Sequence, residues 1–305
     1  MLPDHDLPQP LAPNPQPRVS PSSQSPASHS LSCLGPHGFH RVRYTEWGAP
    51  DNPDVVICVH GLTRNGRDFD SLAQALARDF RVLCPDVVGR GQSEWLTHAH
   101  DYGYALYLSD MAALIARSGA ARVRWVGTSM GGLIGMMLAA QPNSPIERLV
   151  VNDVGPLVPK AALERLAGYV GRTGPFEDAH ALEAHLRKVF APFGPLSDAQ
   201  WTHLAEHSTR RNDDGTLSLA YDAAIANAFS GELQDVTLWP VWDAVRCPTL
   251  VLRGADSDLL RADTAQEMTR RGPHATLTTF TGIGHAPALM DPEQIDVVAG
   301  FLRAR

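Results

Sequence analysis

Cysteine is scarce in this chain, and what there is lies scattered. Cys33, Cys58, Cys84 and Cys247 make the full count of four, with no CxxC pair among them. That spacing offers neither a zinc site nor a disulfide framework, so a reducing, cytoplasmic compartment is the expectation. Positive charge is also short: 26 Lys and Arg stand against 33 Asp and Glu, a net charge of −7. Nucleic acid is thereby excluded as the main partner, since phosphate binding needs a basic surface. No long apolar run occurs either. The longest, Gly131–Ala140, covers about half a membrane span and is broken by glycines, which excludes a membrane-spanning protein. The N-terminus has no apolar stretch of signal length, and Asp4 and Asp6 sit where a secretory signal carries positive charge.

What remains is globular. The chain has 305 residues, 44% of them hydrophobic, ample for the core of one large α/β domain or two ordinary ones. Residues 1–34 differ from the rest. Eight of the 24 prolines fall in the first 30 positions and serines crowd Ser20–Ser32, so this stretch is expected to be a disordered tail, with no function assigned.

From Phe39 onward, short apolar runs alternate with amphipathic stretches. Phe39–Trp47 alternates like a half-buried strand, and Val55–Val59 is the continuous run of a strand covered on both faces. Helical spacing follows at Asp68–Arg78, then a strand at Arg81–Cys84 stopped by Pro85. A helix at Tyr104–Arg117 ends at Gly119, a strand runs Val123–Val126, a helix Met130–Ala140, and a strand Ile146–Val151. Strands and helices alternating at this spacing imply a parallel sheet with crossover helices. The alternation lapses between about 157 and 245, where only helices are apparent, at Ala161–Val170, Ala179–Phe190, Asp198–His207 and Ala220–Ala228. It resumes with Thr249–Leu252, Thr276–Phe280 and a last helix near Pro292–Arg303. The expected organisation is a core in two parts, 35–156 and 246–305, with a helical cap at 157–245.

The most informative stretch is Gly127-Thr128-Ser129-Met130-Gly131, a G-x-S-x-G between an expected strand and an expected helix. A turn this tight strains its central residue, and side chains two positions to either side would strike neighbouring backbone. Glycines remove those clashes and leave the serine hydroxyl at the carboxyl edge of the sheet. An oxyanion hole needs two converging backbone N–H groups: one from Met130, after the nucleophile, and one from Leu62 in the loop His60-Gly61-Leu62-Thr63. His60, ending a buried strand, reads as a brace for that loop. The base belongs late in the chain, where small residues flank His285 in Gly284-His285-Ala286. His98, His100 and Asp101 could be drawn as a metal cluster, but a histidine pair in a polar loop is weak grounds for one.

Taken with Pro85-Asp86 and Gly89-Arg90-Gly91-Gln92-Ser93, read as scaffold beside the site, these motifs resemble the α/β-hydrolase-fold serine hydrolases over roughly residues 39–305. The resemblance implies an eight-stranded, mostly parallel sheet with helices on both faces. It also implies a helical cap between strands 6 and 7, a Ser–His–acid triad, and no metal or organic cofactor. The acid departs from the commonest pattern. Its usual place, three residues beyond Gly254 at the end of strand 7, is Ser257, flanked by Asp256 and Asp258; a second origin is Asp153, after strand 6. A subgroup of small bacterial-type esterases is similar in having its acid after strand 6 with serine at the strand 7 position. Asp153 is therefore preferred, with Asp258 and then Asp256 as alternatives.

The implied chemistry is acyl transfer: Ser129 attacks a carbonyl, His285 takes its proton, and the aspartate orients the imidazole. The expected substrate is a small carboxylic ester with an apolar acyl group. Cap aromatics such as Tyr169, Phe190, Phe193, Trp201, Tyr221 and Trp242 divide between core and pocket lining. Arg210-Arg211 could meet a substrate carboxylate or stay solvated. A lactonase, thioesterase, carbon–carbon bond hydrolase or cofactor-free haloperoxidase would share these residues, and a non-catalytic ligand-binding protein could keep the fold. The oligomeric state leaves no mark in the sequence.

Overall fold

The computed structural model describes residues 25–304, so the expected tail over residues 1–24 lies outside the described residues. Eight strands form the main sheet: β1 (Ala27–Gly35), β2 (Gly38–Trp47), β3 (Val55–Val59), β4 (Arg81–Asp86), β5 (Val123–Thr128), β6 (Ile146–Asn152), β7 (Thr249–Gly254) and β8 (Thr276–Phe280). Their order is β1-β2-β4-β3-β5-β6-β7-β8. β1 and β2 are antiparallel to their neighbours, and from β4 to β8 every pairing is parallel.

β3 shows why the sheet lies at the centre. All five of its residues are buried. Alternation sends Val55, Ile57 and Val59 into one core and Val56 and Cys58 into the other. The second core is closed by Leu72, Ala73 and Leu76 of α1 (Asp70–Leu76) and by Val298, Ala299 and Leu302 of the C-terminal helix Pro292–Arg303. The first core receives α2 (Tyr104–Ser118), stopped by Gly119 in the left-handed conformation, and the nearly all-apolar α3 (Met130–Ala139). Each fully buried leucine contributes about 1.5–3 kcal/mol, so a sheet covered on both faces is strongly driven to form.

Between β6 and β7 lie α4 (Lys160–Ala167), α5 (Ala179–Val189), α6 (Asp198–His207) and α7 (Trp239–Ala244), followed after β7 by α8 (Ala262–Met268) and after β8 by α9 (Pro292–Arg303).

Three expectations need correcting. The tail does not extend to residue 34, because Ala27–Gly35 pairs with β2 through a hairpin whose loop is Pro36-His37. That edge strand is serine-rich and buries only Cys33, so it lacks the apolar alternation that marks a strand. Pro85 does not stop β4. β3 pairs with β4 only as far as Leu83, so the missing N–H of Pro85 breaks no bond on that side. The segment between β6 and β7 is not purely helical: Leu157–Val158 pairs with Val236–Thr237, and Thr209–Arg211 with Leu217–Leu219. Strands this short carry no readable period, although Asn212 to Gly215, with Gly215 at φ +87°, supply a hairpin turn between the last two.

Candidate active site

β5 delivers Ser129 to the carboxyl edge of the sheet, where the chain reverses into α3. Ser129 has φ 52° and ψ −114°, a strained conformation held by its own N–H on the Asn152 carbonyl at 2.9 Å. A Cβ on Gly127 would run into the Gly131 carbonyl, and one on Gly131 into the Val59 carbonyl. The indole of Trp125 donates to Gly131 O at 3.0 Å, and Gly131 N donates to His60 O at 3.2 Å. The turn is thus bonded to β5, to β6 and to His60, the residue that follows β3.

His285, in the loop after β8, places Nε2 3.0 Å from Ser129 Oγ and Nδ1 2.8 Å from Asp153 Oδ2. A carboxylate only accepts, so Nδ1 carries the proton toward Asp153 and Nε2 is free to accept from the serine. Asp153 is fully buried at the end of β6. Its Oδ1 accepts from Gly254 N at 2.8 Å, and its Oδ2 also accepts from Ser257 Oγ at 2.6 Å. Each bond offsets the cost of burying this carboxylate. Ser257 and Asp153 therefore meet from neighbouring strand ends.

Asp258 does not reach the imidazole. Its carboxylate is half exposed and paired with Arg165, Nη2 to Oδ1 at 3.0 Å and Nε to Oδ2 at 2.5 Å. Asp256 is exposed too. The turn after Gly254 points Ser257 inward and sends the two aspartates outward, which corrects the alternative placement of the acid at Asp258 or Asp256.

Leu62 follows β3 and Met130 opens α3. Among the described residues, neither amide N–H donates to a protein group. Their loops are fixed from behind. His60, fully buried, donates from Nδ1 to Gly61 O at 2.6 Å and accepts at Nε2 from Val87 N at 2.9 Å. Burial lowers its pKa from 6.5 to about 4, so the ring is neutral and its two nitrogens keep these roles. Arg90, a residue of the scaffold motif, has a role that the sequence did not reveal. It is fully buried, with Nε donating to Leu62 O at 2.9 Å, Nη1 to Val88 O at 2.7 Å and to Tyr107 Oη at 2.9 Å, and Nη2 3.6 Å from Met130 Sδ. Asp86 accepts from Gly66 N and Gln92 N at 2.8 and 2.7 Å; burial still raises its pKa to about 6, the two N–H bonds working against the rise.

The cavity over Ser129 is walled by the segment between β6 and β7. Leu166, Tyr169, Phe190 and Phe193 line it, whereas Trp201, Tyr221 and Trp242 are buried in the core. Two arginines that the sequence did not single out also line it, Arg64 and Arg165. Arg210 and Arg211 do not: both are exposed, and Arg210 stacks on Trp95 at 4.0 Å. Two groups have metal-ligand proximity among the described residues, Cys33–His40–Asp110 and Asp70–His203–His207. In the first His40 already binds Asp110, in the second Arg67 holds Asp70, and neither group contacts Ser129. Asp101, which follows the loop histidines His98 and His100, instead takes His37 at 2.7 Å.

Fold and site together define a class. The chain belongs to the α/β-hydrolase fold family, whose profile matches residues 54–292, and it is an ester-cleaving hydrolase of that family. It is 44% identical over 288 residues to a 3-hydroxybutyrate-oligomer hydrolase of Cupriavidus necator, covering 92% of this chain and 98% of the relative. It is 27% identical over 255 residues to a 2-(acetamidomethylene)succinate hydrolase of Mesorhizobium japonicum, covering 82% of this chain and 88% of the relative. A crystal structure of an α/β hydrolase from Novosphingobium aromaticivorans superposes with a TM-score of 0.81 at 38% identity, over 91% of this chain and 98% of the other.

Proposed function

We propose that this protein hydrolyses short esters of 3-hydroxy acids, 3-hydroxybutyrate oligomers in particular, through an acyl-enzyme on Ser129. The observation that carries the reading is the unbroken chain from Ser129 Oγ through His285 to Asp153, at 3.0 and 2.8 Å. The identity to the 3-hydroxybutyrate-oligomer hydrolase along nearly its whole length supports the substrate class.

Ser129 Oγ attacks the ester carbonyl as His285 Nε2 takes its proton. Asp153 holds the ring in the required tautomer and steadies the imidazolium. The amides of Leu62 and Met130 receive the oxyanion, each worth on the order of 3 kcal/mol in the barrier. His285 returns the proton to the leaving alcohol, then activates a water that frees the acid. The segment 157–245 acts as the cap, and Leu166, Phe190 and Phe193 give the acyl group an apolar wall. The protein's four cysteines are free, which suits a reducing cytoplasm.

A fluorophosphonate probe should label wild-type protein and leave Ser129→Ala unlabelled. Hydrolysis of the 3-hydroxybutyrate dimer, followed by monomer release, should fall by several orders of magnitude in the same variant. Folded wild-type protein that takes no label would point to a ligand-binding protein. Label without dimer cleavage would shift the substrate to a lactone, thioester or carbon–carbon bond.

A further inference from the structure

Two arginines, Arg64 and Arg165, line the cavity over Ser129, and they differ in how they are neutralised. Arg64 is almost wholly buried, and its Nε and Nη2 are held by Asp68 at 2.8 and 2.6 Å. Asp68 lines the same cavity, so this pair presents little net charge to a substrate. Arg165 lies on α4 at the cavity wall with its side chain 39% exposed. Its partner Asp258 approaches from outside the lining and takes Nε and Nη2 only. Among the described residues no acceptor lies within 3.5 Å of Nη1; the Tyr169 phenol, on the same lining, is the guanidinium's other polar neighbour. A guanidinium held by one edge still offers the N–H groups of its other nitrogen to a second acceptor.

From this geometry we infer that Arg165 Nη1 is a carboxylate subsite that reads the free acid end of the leaving group. The inference rests on the proposed ester hydrolysis and adds the charge of the substrate to it. In an ester of 3-hydroxybutyrate, the alcohol oxygen is on C3 and the carboxylate is C1, with one methylene between them. The leaving group therefore brings an anion within a few bonds of the carbonyl that Ser129 attacks. The bond from acyl carbon to C3 oxygen breaks, that oxygen takes the proton carried by His285, and water supplies the hydroxyl that leaves on the acyl group. Arg165 holds C1 and takes no proton. An oligomer anchored in this way loses one unit at a time from its carboxyl end. Asp258 keeps the guanidinium aimed, which gives a role to the carboxylate that the imidazole does not use.

The test compares acetate release from 3-acetoxybutyrate with acetate release from its methyl ester, in which the leaving group's carboxylate is capped and uncharged. Wild-type kcat/KM should favour the acid, and Arg165→Gln should lower the acid-to-ester ratio about ten-fold, the scale of one charge-assisted contact. Arg165→Lys, a point charge without the fork, should restore part of it. Raising salt from about 0.05 to about 0.5 M should erode the ratio in wild type and leave it flat in Arg165→Gln; the wild-type half of this reading holds even if the variant fails to fold. A ratio that is the same in wild type and Arg165→Gln, or insensitive to salt in wild type, overturns the subsite, as does cleavage of p-nitrophenyl butyrate with none of 3-acetoxybutyrate. Failure of the hydrolase reading looks different: no ester of any charge is cleaved and no fluorophosphonate is taken up.

Discussion

Ser257, at the end of β7, donates its hydroxyl to the Asp153 carboxylate, at the end of β6, across 2.6 Å. The position where many relatives of this fold carry their acid is thus within one hydrogen bond of the aspartate that meets His285. Asp153→Asn should lower kcat on p-nitrophenyl butyrate on the order of 10⁴-fold, because the amide cannot hold the imidazole in the right tautomer. Ser257→Asp added to that variant should recover at least about ten-fold, by supplying a carboxylate from the neighbouring strand. An Asp153→Asn enzyme within a few-fold of wild type would remove Asp153 from the mechanism.

Arg90 binds the backs of both residues assigned to the oxyanion hole, Leu62 through its carbonyl and Met130 through its sulfur. A lysine there has one point of charge and cannot serve Leu62, Val88 and Tyr107 together. Arg90→Lys should lower kcat about ten-fold with little change in KM, because the loss is felt where the oxyanion forms. Unpaired carbonyls in the same site should also depress Tm. Steady-state kinetics beside thermal melts would check this, and a rise in KM at constant kcat would contradict it.

The two buried titratable groups behind the site act on stability with opposite sign. His60 is held near 4 against an ordinary 6.5, so in the folded protein it resists a proton that the unfolded chain accepts. Its contribution is present above pH 6.5 and is lost as pH falls toward 4. Asp86, raised from 3.8 to about 6, contributes below 3.8 and loses that contribution as pH rises through 6. Between about pH 4 and 6 the two slopes oppose each other. Comparing wild type with His60→Gln isolates the histidine. The stability gap between them should narrow by about 2 kcal/mol from near pH 7 to near pH 5, read by urea unfolding. A gap that stays constant across that range would mean that His60 does not titrate differently in the two states.

What could be read from the sequence, and what could not, divides along physical lines. The approach of His285 to Ser129 was legible because a strand-to-helix turn of this tightness needs its glycines, and the late loop needs small residues around the histidine. The choice among Asp153, Asp256 and Asp258 was not, since β6 and β7 are neighbours and either end can reach one imidazole. The fold separates them: Asp153 meets the imidazole, Ser257 turns inward, and Asp258 is drawn outward to Arg165. β1 was missed because its serines give no apolar period, and its pairing depends on β2 alone. Nothing in its sequence surroundings singles out Arg165, and only the fold carries it to the cavity wall.

Two glycines give a matched test of that division. A methyl on Gly131 would be driven into the Val59 carbonyl, a backbone atom that β3 cannot move without breaking its pairing with β5. Gly300, exposed in α9, has nothing within 4 Å of the place a Cβ would take. Gly131→Ala should therefore cost more than about 3 kcal/mol, lowering Tm and abolishing fluorophosphonate labelling. Gly300→Ala should gain about 0.5–1 kcal/mol, because alanine loses less backbone entropy on entering the helix and meets no obstacle there. Calorimetry on both variants measures the contrast. If the two melt alike, the turn at Ser129 has room that its packing against β3 denies, and the strained placement of the serine hydroxyl needs another cause.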